Sequence, residues 1–354
     1  MQHLPLPIMN AKIKPIPNEV DILENDIVAL SPAILKALLK DHTRSTAEET
    51  HFILWATNDY AEQKGEGYGF DDEIKPDLIT GDNGYVITPR ISKHLDIQTA
   101  RSKDKAEVFT PSWLCNEQNN LIDDAWFGRK HVFNVTFHEG DQHTWEPTTK
   151  KIKFPKGKTW RDYVRDNRME ITCGEAPYLV SRYDTTTGNA IPVSHRIGLL
   201  DRKLRVVNEN TKTKTEWTRA AKVALMSCYG FEWQGDSLFI ARENVLWTII
   251  DYHKAKFDRM PTPRELETFA YYISWNLWQM DGLKGVIPNS CHDKTIKYKT
   301  TFGEEITQVS KCSGCVEGNI RAHNGIYCLI RNWNKSFIRP GMGKKIRFID
   351  NVKL

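Results

Sequence analysis

Glu170-Ile171-Thr172-Cys173-Gly174-Glu175-Ala176-Pro177-Tyr178-Leu179 sets a short extended run directly against a turn built on a small residue and a glycine. In a wound α/β sheet such a turn lies at the carboxyl end of a strand, where ligands bind. A glycine there lets the backbone approach a ligand with no Cβ between them. Outward from this segment, Arg196-Ile197-Gly198-Leu199-Leu200 reads as a buried strand closed by Asp201, and Tyr229–Trp233 as another, ending near Gly235-Asp236. A helix is expected over about 215–227, and a second from Ser237 with Leu238, Ile240, Val245, Leu246, Ile249 and Ile250 on a wide face. Thr262-Pro263-Arg264-Glu265 is a capping box with proline at the first helical position. Strands alternating with helices predict a largely parallel sheet covered on both faces.

Carboxylates at these strand ends suit a nucleotide-like ligand. Asp201 is placed to hold ribose hydroxyls, and Asp236 to accept from the exocyclic amine of adenine. Each has an ordinary alternative as a helix cap or a surface acid.

Two motifs carry a resemblance. Glu107-Val108-Phe109-Thr110-Pro111, followed by Trp113-Leu114, resembles the N-terminal signature of adenine-N6 DNA methyltransferases of restriction–modification systems. The next motif of that family, Asp-Pro-Ala-Cys-Gly-Ser-Gly-x-Phe-Leu, aligns without a gap onto Glu170–Leu179; Glu175 stands for the serine and Ala176 for the second glycine. Gly235-Asp236-Ser237-Leu238 resembles the later motif whose aspartate meets the cofactor's adenine. The run from about Arg90 to Gly282, with Trp278-Gln279-Met280-Asp281-Gly282-Leu283, is similar to bacterial proteins labelled restriction endonuclease subunit M. The resemblance implies an α/β fold with a Rossmann-like S-adenosylmethionine-dependent methyltransferase sheet over residues 106–290; the residues themselves read as a mixed α/β region over 1–105 and a small zinc-ribbon-like element with cysteines and a histidine over 291–354. The resemblance also implies S-adenosylmethionine as cofactor, held by Phe109, Thr110, Pro111, Glu170, Cys173, Gly174, Ala176, Tyr178, Asp201 and Asp236.

The family's Asn/Asp-Pro-Pro-aromatic tetrapeptide, which holds the target amine and stacks on the flipped base, is missing from these 354 residues. Ile287-Pro288-Asn289-Ser290 lacks the second proline and the aromatic. A split enzyme completed by a second methyltransferase or restriction subunit, a truncated product and a divergent site all remain open. So does a catalytically inactive DNA-binding or assembly subunit. DNA is the expected partner in either case, and no catalytic residue is assigned.

Near the C-terminus, Cys312-Ser313-Gly314-Cys315, His323 and Cys328 have the residue types of a tetrahedral structural zinc site. Cys291-His292 offers a substitute for one ligand. The alternative is a set of reduced cysteines on a hairpin. The scattered cysteines, Cys115, Cys173, Cys228 and Cys291, are expected as buried small residues in a reducing compartment.

A hydrophobic fraction of 40% against 27% charged residues excludes general disorder. The net charge of +4 permits a nucleic-acid partner without requiring one. Lys150, Lys151, Lys153, Lys156, Lys158 and Arg161, interleaved with Trp145, Phe154 and Trp160, read either as a nucleic-acid contact or as a solvated edge. The basic end (Arg339, Lys344, Lys345, Arg347 and Lys353) has the same two readings. Gly65–Gly69 is a surface loop, and Asp82-Asn83-Gly84 predicts a turn into a strand at 85–88. The proline-rich start, 1–18, is not expected to be a signal peptide, and apolar runs such as Phe52–Ala56 are too short to cross a bilayer. A cytoplasmic protein with no membrane contact is expected.

Overall fold

A computed structural model describes residues 20–105, 107–140, 142–299 and 305–351. The proline-rich start and Lys353 lie outside them. In chain order the elements begin with helices α1 (Glu24–Leu30), α2 (Pro32–Leu39), α3 (Ala61–Lys64), α4 (Leu95–Lys105) and α5 (Ser112–Phe127). A hairpin of β1 (Asn134–Glu139) and β2 (Gln142–Pro147) leads to α6 (Trp160–Arg165) and β3 (Arg168–Glu170). The central run is α7 (Leu199–Asn210), α8 (Lys214–Met226), β4 (Cys228–Glu232), α9 (Gly235–Phe257), α10 (Pro263–Asn276) and β5 (Leu277–Gln279). The chain continues through β6 (Lys294–Lys299), β7 (Glu305–Ser310), α11 (Ser313–Glu317), β8 (Leu329–Asn334) and β9 (Gly341–Arg347).

Strands β3, β4 and β5 form one parallel sheet in that order, with Glu170 opposite Gly230 and Gly230 opposite Leu277. Each crossover is a helix pair, α7–α8 and then α9–α10. Parallel strands need such long connections, and helices are what cover their faces. The other described sheets are antiparallel hairpins, β1–β2, β6–β7 and β8–β9.

Local signals set the helix starts. The Ser31 side chain accepts the Ala33 N–H before Pro32, and Thr262 with Glu265 forms the reciprocal cap of α10. Helix α9 is buried on nearly its whole circumference, polar Arg242, Glu243 and Asn244 included. It therefore lies in the middle of the molecule, which is why its apolar residues do not collect on one stripe. One core joins Ile34, Leu35 and Leu38 of α2 to Leu246 of α9 and Phe269 of α10.

Two expected strands are absent. Arg196–Gly198 is a loop, and Leu199-Leu200 opens α7, so that Asp201 becomes the third helical residue. The apolar run of Ile197, Leu199 and Leu200 is the buried start of that helix; a short apolar run does not distinguish strand from helix. Gly81–Asn83 is a 3-10 turn, and 85–88 follows it without sheet pairing. The aromatics of the basic segment are drawn away from solvent. Trp145 Nε1 donates to the His195 carbonyl at 2.8 Å, Phe154 packs on Phe127, and Trp160 packs on Phe337. Lys150, Lys151 and Lys153 stay exposed. At the basic end, Lys345 lies 5.3 Å from the Trp275 ring centroid and Arg347 pairs with Asp350 at 2.9 Å.

Gly235 marks the tightest approach in the core. Its N–H donates to the Trp55 carbonyl at 3.0 Å, and a Cβ there would overlap the Leu54 carbonyl and sit 2.9 Å from Ile74 Cδ1. Leu54 cannot yield easily, because the Gln279 amide grips both its N–H and its C=O at 2.8 Å. Gly235→Ala is therefore expected to lower stability by about 1–3 kcal/mol, the usual cost of overpacking. Denaturant midpoints would show it; an unchanged midpoint would mean that the Leu54 segment slides freely against α9.

Candidate functional site

The turn after β3 is held in an uncommon backbone conformation. Thr172, Gly174 and Ala176 all have positive φ, at 48°, 50° and 65°, a region that side chains other than glycine rarely adopt. Such conformations persist only where surrounding contacts over-determine them, and they cluster at binding sites. Here the contacts come from two carboxylates. Glu170 accepts the N–H groups of Tyr178 and Leu179, at 3.1 and 3.0 Å, and so closes the turn from below. Glu232, the last residue of β4, accepts the Gly174 N–H at 2.8 Å with one oxygen. Its other oxygen accepts those of Trp233 and Gln234, at 2.8 and 3.2 Å. One side chain thus ties the β3 turn to the end of β4.

Above this turn opens a cleft of ≈ 860 Å³, at the carboxyl ends of β3 and β4. Its size is in the range of small-molecule and cofactor sites. Phe109 lies over Gly174, its ring 3.4 Å from where a Cβ would stand, an ordinary contact distance, so the positive φ of 50° and not the space is what favours glycine here. Glu170, Cys173, Gly174 and Tyr178 line one wall, with Phe109 and Thr110 beside them. The opposite wall is formed by Ala56–Asp59, Phe70 and the Glu232–Gln234 segment. Phe70 and Trp233 pack edge to face, with centroids 6.3 Å apart.

Phe109 is positioned by a buried ion network beside the cleft. Arg101 binds Glu107 at 2.5 Å, Asp236 at 2.9 Å and Gln234 at 2.6 Å; Lys93 and the Tyr60 hydroxyl reach Asp236 at 3.2 and 2.7 Å. Glu107 thereby docks the segment that carries Phe109 onto the start of α9. Burial opposes the charge on Asp236, but Arg101 and Lys93 outweigh it and hold the carboxyl far below the usual range. Burial pushes Glu170 up to about 8, against the pull of the Tyr178 and Leu179 N–H groups. It raises Glu232 as well, against the N–H groups of Gly174, Gln234 and Trp233.

The expected site residues divide. Phe109, Thr110, Glu170, Cys173, Gly174 and Tyr178 meet in the cleft. Asp236 does not face it: the carboxylate is fully buried and consumed by Arg101, Lys93 and Tyr60. Asp201 also turns inward, accepting from the Ser181 N–H and hydroxyl at 2.8 and 3.0 Å and from the Gly198 N–H at 3.1 Å. Pro111 caps α5, and Ala176 is enclosed inside the turn, neither reaching the cleft wall. Cys173 points at Gly230, and burial raises its thiol well above the usual range, so it packs and does not react.

Glu232 and Glu107 were not expected in these places. The signal for Glu232 was legible, since it is the acid at the end of the Tyr229–Trp233 strand. Thr57 and Asp59 reach the cleft from a distant stretch with no motif of its own.

In the C-terminal region, Cys291, Cys312, Cys315 and His323 bring their ligand atoms within 4.8 Å of one another. Cys328 is not among them. It is fully buried against Phe231 and Trp278, and its thiol donates to the Gln279 carbonyl at 3.3 Å. Cys291, expected as a buried small residue, is instead half-exposed and stands in its place, because its sulfur faces the other three groups and not the core.

The chain matches no known protein family, no curated protein and no solved structure. No helix among the described residues is long and apolar enough to cross a membrane.

Proposed function

We propose that this chain is the S-adenosylmethionine-binding modification subunit of a restriction–modification system. It serves N6-methylation of adenine in DNA, with the catalytic tetrapeptide supplied from outside this sequence. One observation carries the reading: Phe109, the Gly174 turn and Glu232 meet in a single cleft at the carboxyl ends of parallel strands. On this reading the Glu232 carboxylate accepts the ribose hydroxyls, as an acid at a strand end does in nucleotide-binding sheets. Phe70 and Trp233 offer an apolar wall to adenine, and Phe109 and Thr110 flank the space left for the amino-acid portion. The cofactor supplies an electrophilic methyl group on sulfur. This chain's residues bind and orient it, and activation of the target amine falls to the tetrapeptide supplied from outside.

The test is calorimetric titration of the full chain with S-adenosylmethionine, alone and with the product of the neighbouring gene. On this reading the ribose hydroxyls donate to ionised Glu232, whose carboxyl burial raises, so binding must displace a proton wherever that carboxyl is uncharged. Affinity is therefore expected to rise as pH climbs above the usual carboxylate range and to level off once Glu232 is ionised. No heat of binding in either mixture removes the reading.

A second reading, a catalytically inactive DNA-binding or assembly subunit on the same fold, has its own support. The tetrapeptide is missing, and the parallel sheet has three strands among the described residues. Cofactor binding without methyl transfer to DNA, even in the presence of the neighbouring product, would favour it.

A further inference from the structure

We propose that Cys291, Cys312, Cys315 and His323 bind one zinc ion that clamps the base of the β6–β7 hairpin to the loop carrying His323. The distances carry the assignment. Cys291 Sγ lies 3.4 Å from Cys312 Sγ, 3.7 Å from Cys315 Sγ and 3.5 Å from His323 Nδ1. His323 Nδ1 lies 3.7 Å from Cys312 Sγ and 3.5 Å from Cys315 Sγ. A tetrahedral zinc with Zn–S of about 2.3 Å and Zn–N of about 2.05 Å separates its ligands by about 3.8 Å for S–S pairs and about 3.6 Å for S–N pairs. Five of the six edges thus lie within about 0.4 Å of such a tetrahedron, and the sixth, between Cys312 and Cys315, is no longer than 4.8 Å.

Hydrogen bonding does not account for the cluster. Three thiols and one neutral imidazole nitrogen offer too few protons for five mutual contacts, and thiols are weak partners. The surroundings match those of a thiolate centre. The Asn324 N–H points at Cys312 Sγ at 3.4 Å, and the His323 N–H is held by the Tyr327 hydroxyl at 2.8 Å. Outer contacts of this kind orient metal ligands. Gly314 makes the approach possible, since a Cβ there would lie 2.5 Å from His323 N. Three sulfurs and one nitrogen form a closed, soft donor set, which selects zinc over magnesium or calcium and assigns it a structural task.

That task follows from position in the chain. Cys291 precedes β6 and Cys312 follows β7, and the Cys312 N–H donates to Asp293 at 3.2 Å. All six β7 residues are exposed. A two-stranded hairpin is marginal without support, so the ion fixes its base.

The test uses the full chain, purified under reducing conditions without chelator. Elemental analysis is expected to give one zinc per chain, and cobalt(II) exchange to give the intense visible bands of a tetrahedral thiolate site. Cys291→Ser is expected to weaken metal binding about tenfold or more, whereas Cys328→Ser keeps the metal and His323→Cys keeps it as an all-sulfur site. Chelation is expected to speed hydrogen exchange across 305–310 while leaving 228–232 unchanged. Metal-free wild-type protein that takes up no zinc on titration overturns the proposal. So does loss of metal in Cys328→Ser with retention in Cys291→Ser.

Discussion

Asp236→Ala is expected to cost about 3–5 kcal/mol of folding stability, the range for breaking a buried ion pair from one side. Arg101 is 2% exposed and would keep its charge with Asp236 gone. Glu107 and Asp59 would remain as partners, but the Lys93 ammonium and the Tyr60 hydroxyl would each lose their acceptor. Denaturant unfolding at neutral pH reads the effect. The pH dependence gives an independent check. The carboxyl of Asp236 is depressed in the folded protein, so its contribution is present above the unfolded value of about 3.9 and is lost as pH falls below it. The gap between wild type and variant should narrow in acid. A gap that stays constant from neutral pH to pH 3 would show that the lost energy is packing, and that the ion network is not what holds Glu107 and Phe109 in place.

Glu232→Gln is expected to weaken S-adenosylmethionine binding by roughly 10–150-fold, the equivalent of about 1.5–3 kcal/mol for hydrogen bonds to a charged group. The carboxylate serves two purposes on the proposed reading. It offers acceptors to the ligand, and it holds the Gly174 turn through three backbone N–H groups. Glutamine has one acceptor oxygen, so its NH2 must face either Gly174 or the Trp233–Gln234 pair. Titration calorimetry of both proteins measures the loss. The melting temperature should fall far less than for Asp236→Ala, because Glu232 is half-buried and water can take over its freed contacts. Undiminished affinity in a folded Glu232→Gln protein would remove this end of the cleft from the ligand site.

The sequence by itself determined the elements that rest on local chemistry. The Ser31 and Thr262 caps, the β4 strand and the turn at Gly174 follow from short-range hydrogen bonding and from the conformations that glycine and proline allow. The same holds for the Phe109 and Gly174 motifs, each of which is contiguous in the chain. Only the tertiary structure decided which acid faces the cleft. Asp201 and Asp236 have the residue type and the approximate position, but each lies within hydrogen-bond reach of buried donors from other segments: Ser181 for the first, Arg101, Lys93 and Tyr60 for the second. Those partners lie 20 to 176 residues away, beyond the reach of any local pattern. The zinc ligands divide in the same way. The Cys312–Cys315 knuckle is visible as a spacing, but the choice of Cys291 over Cys328 depends on which sulfur the fold buries against Phe231 and Trp278. Spacing along a chain reports what neighbours can do. Burial and long-range pairing determine what remains free to do it.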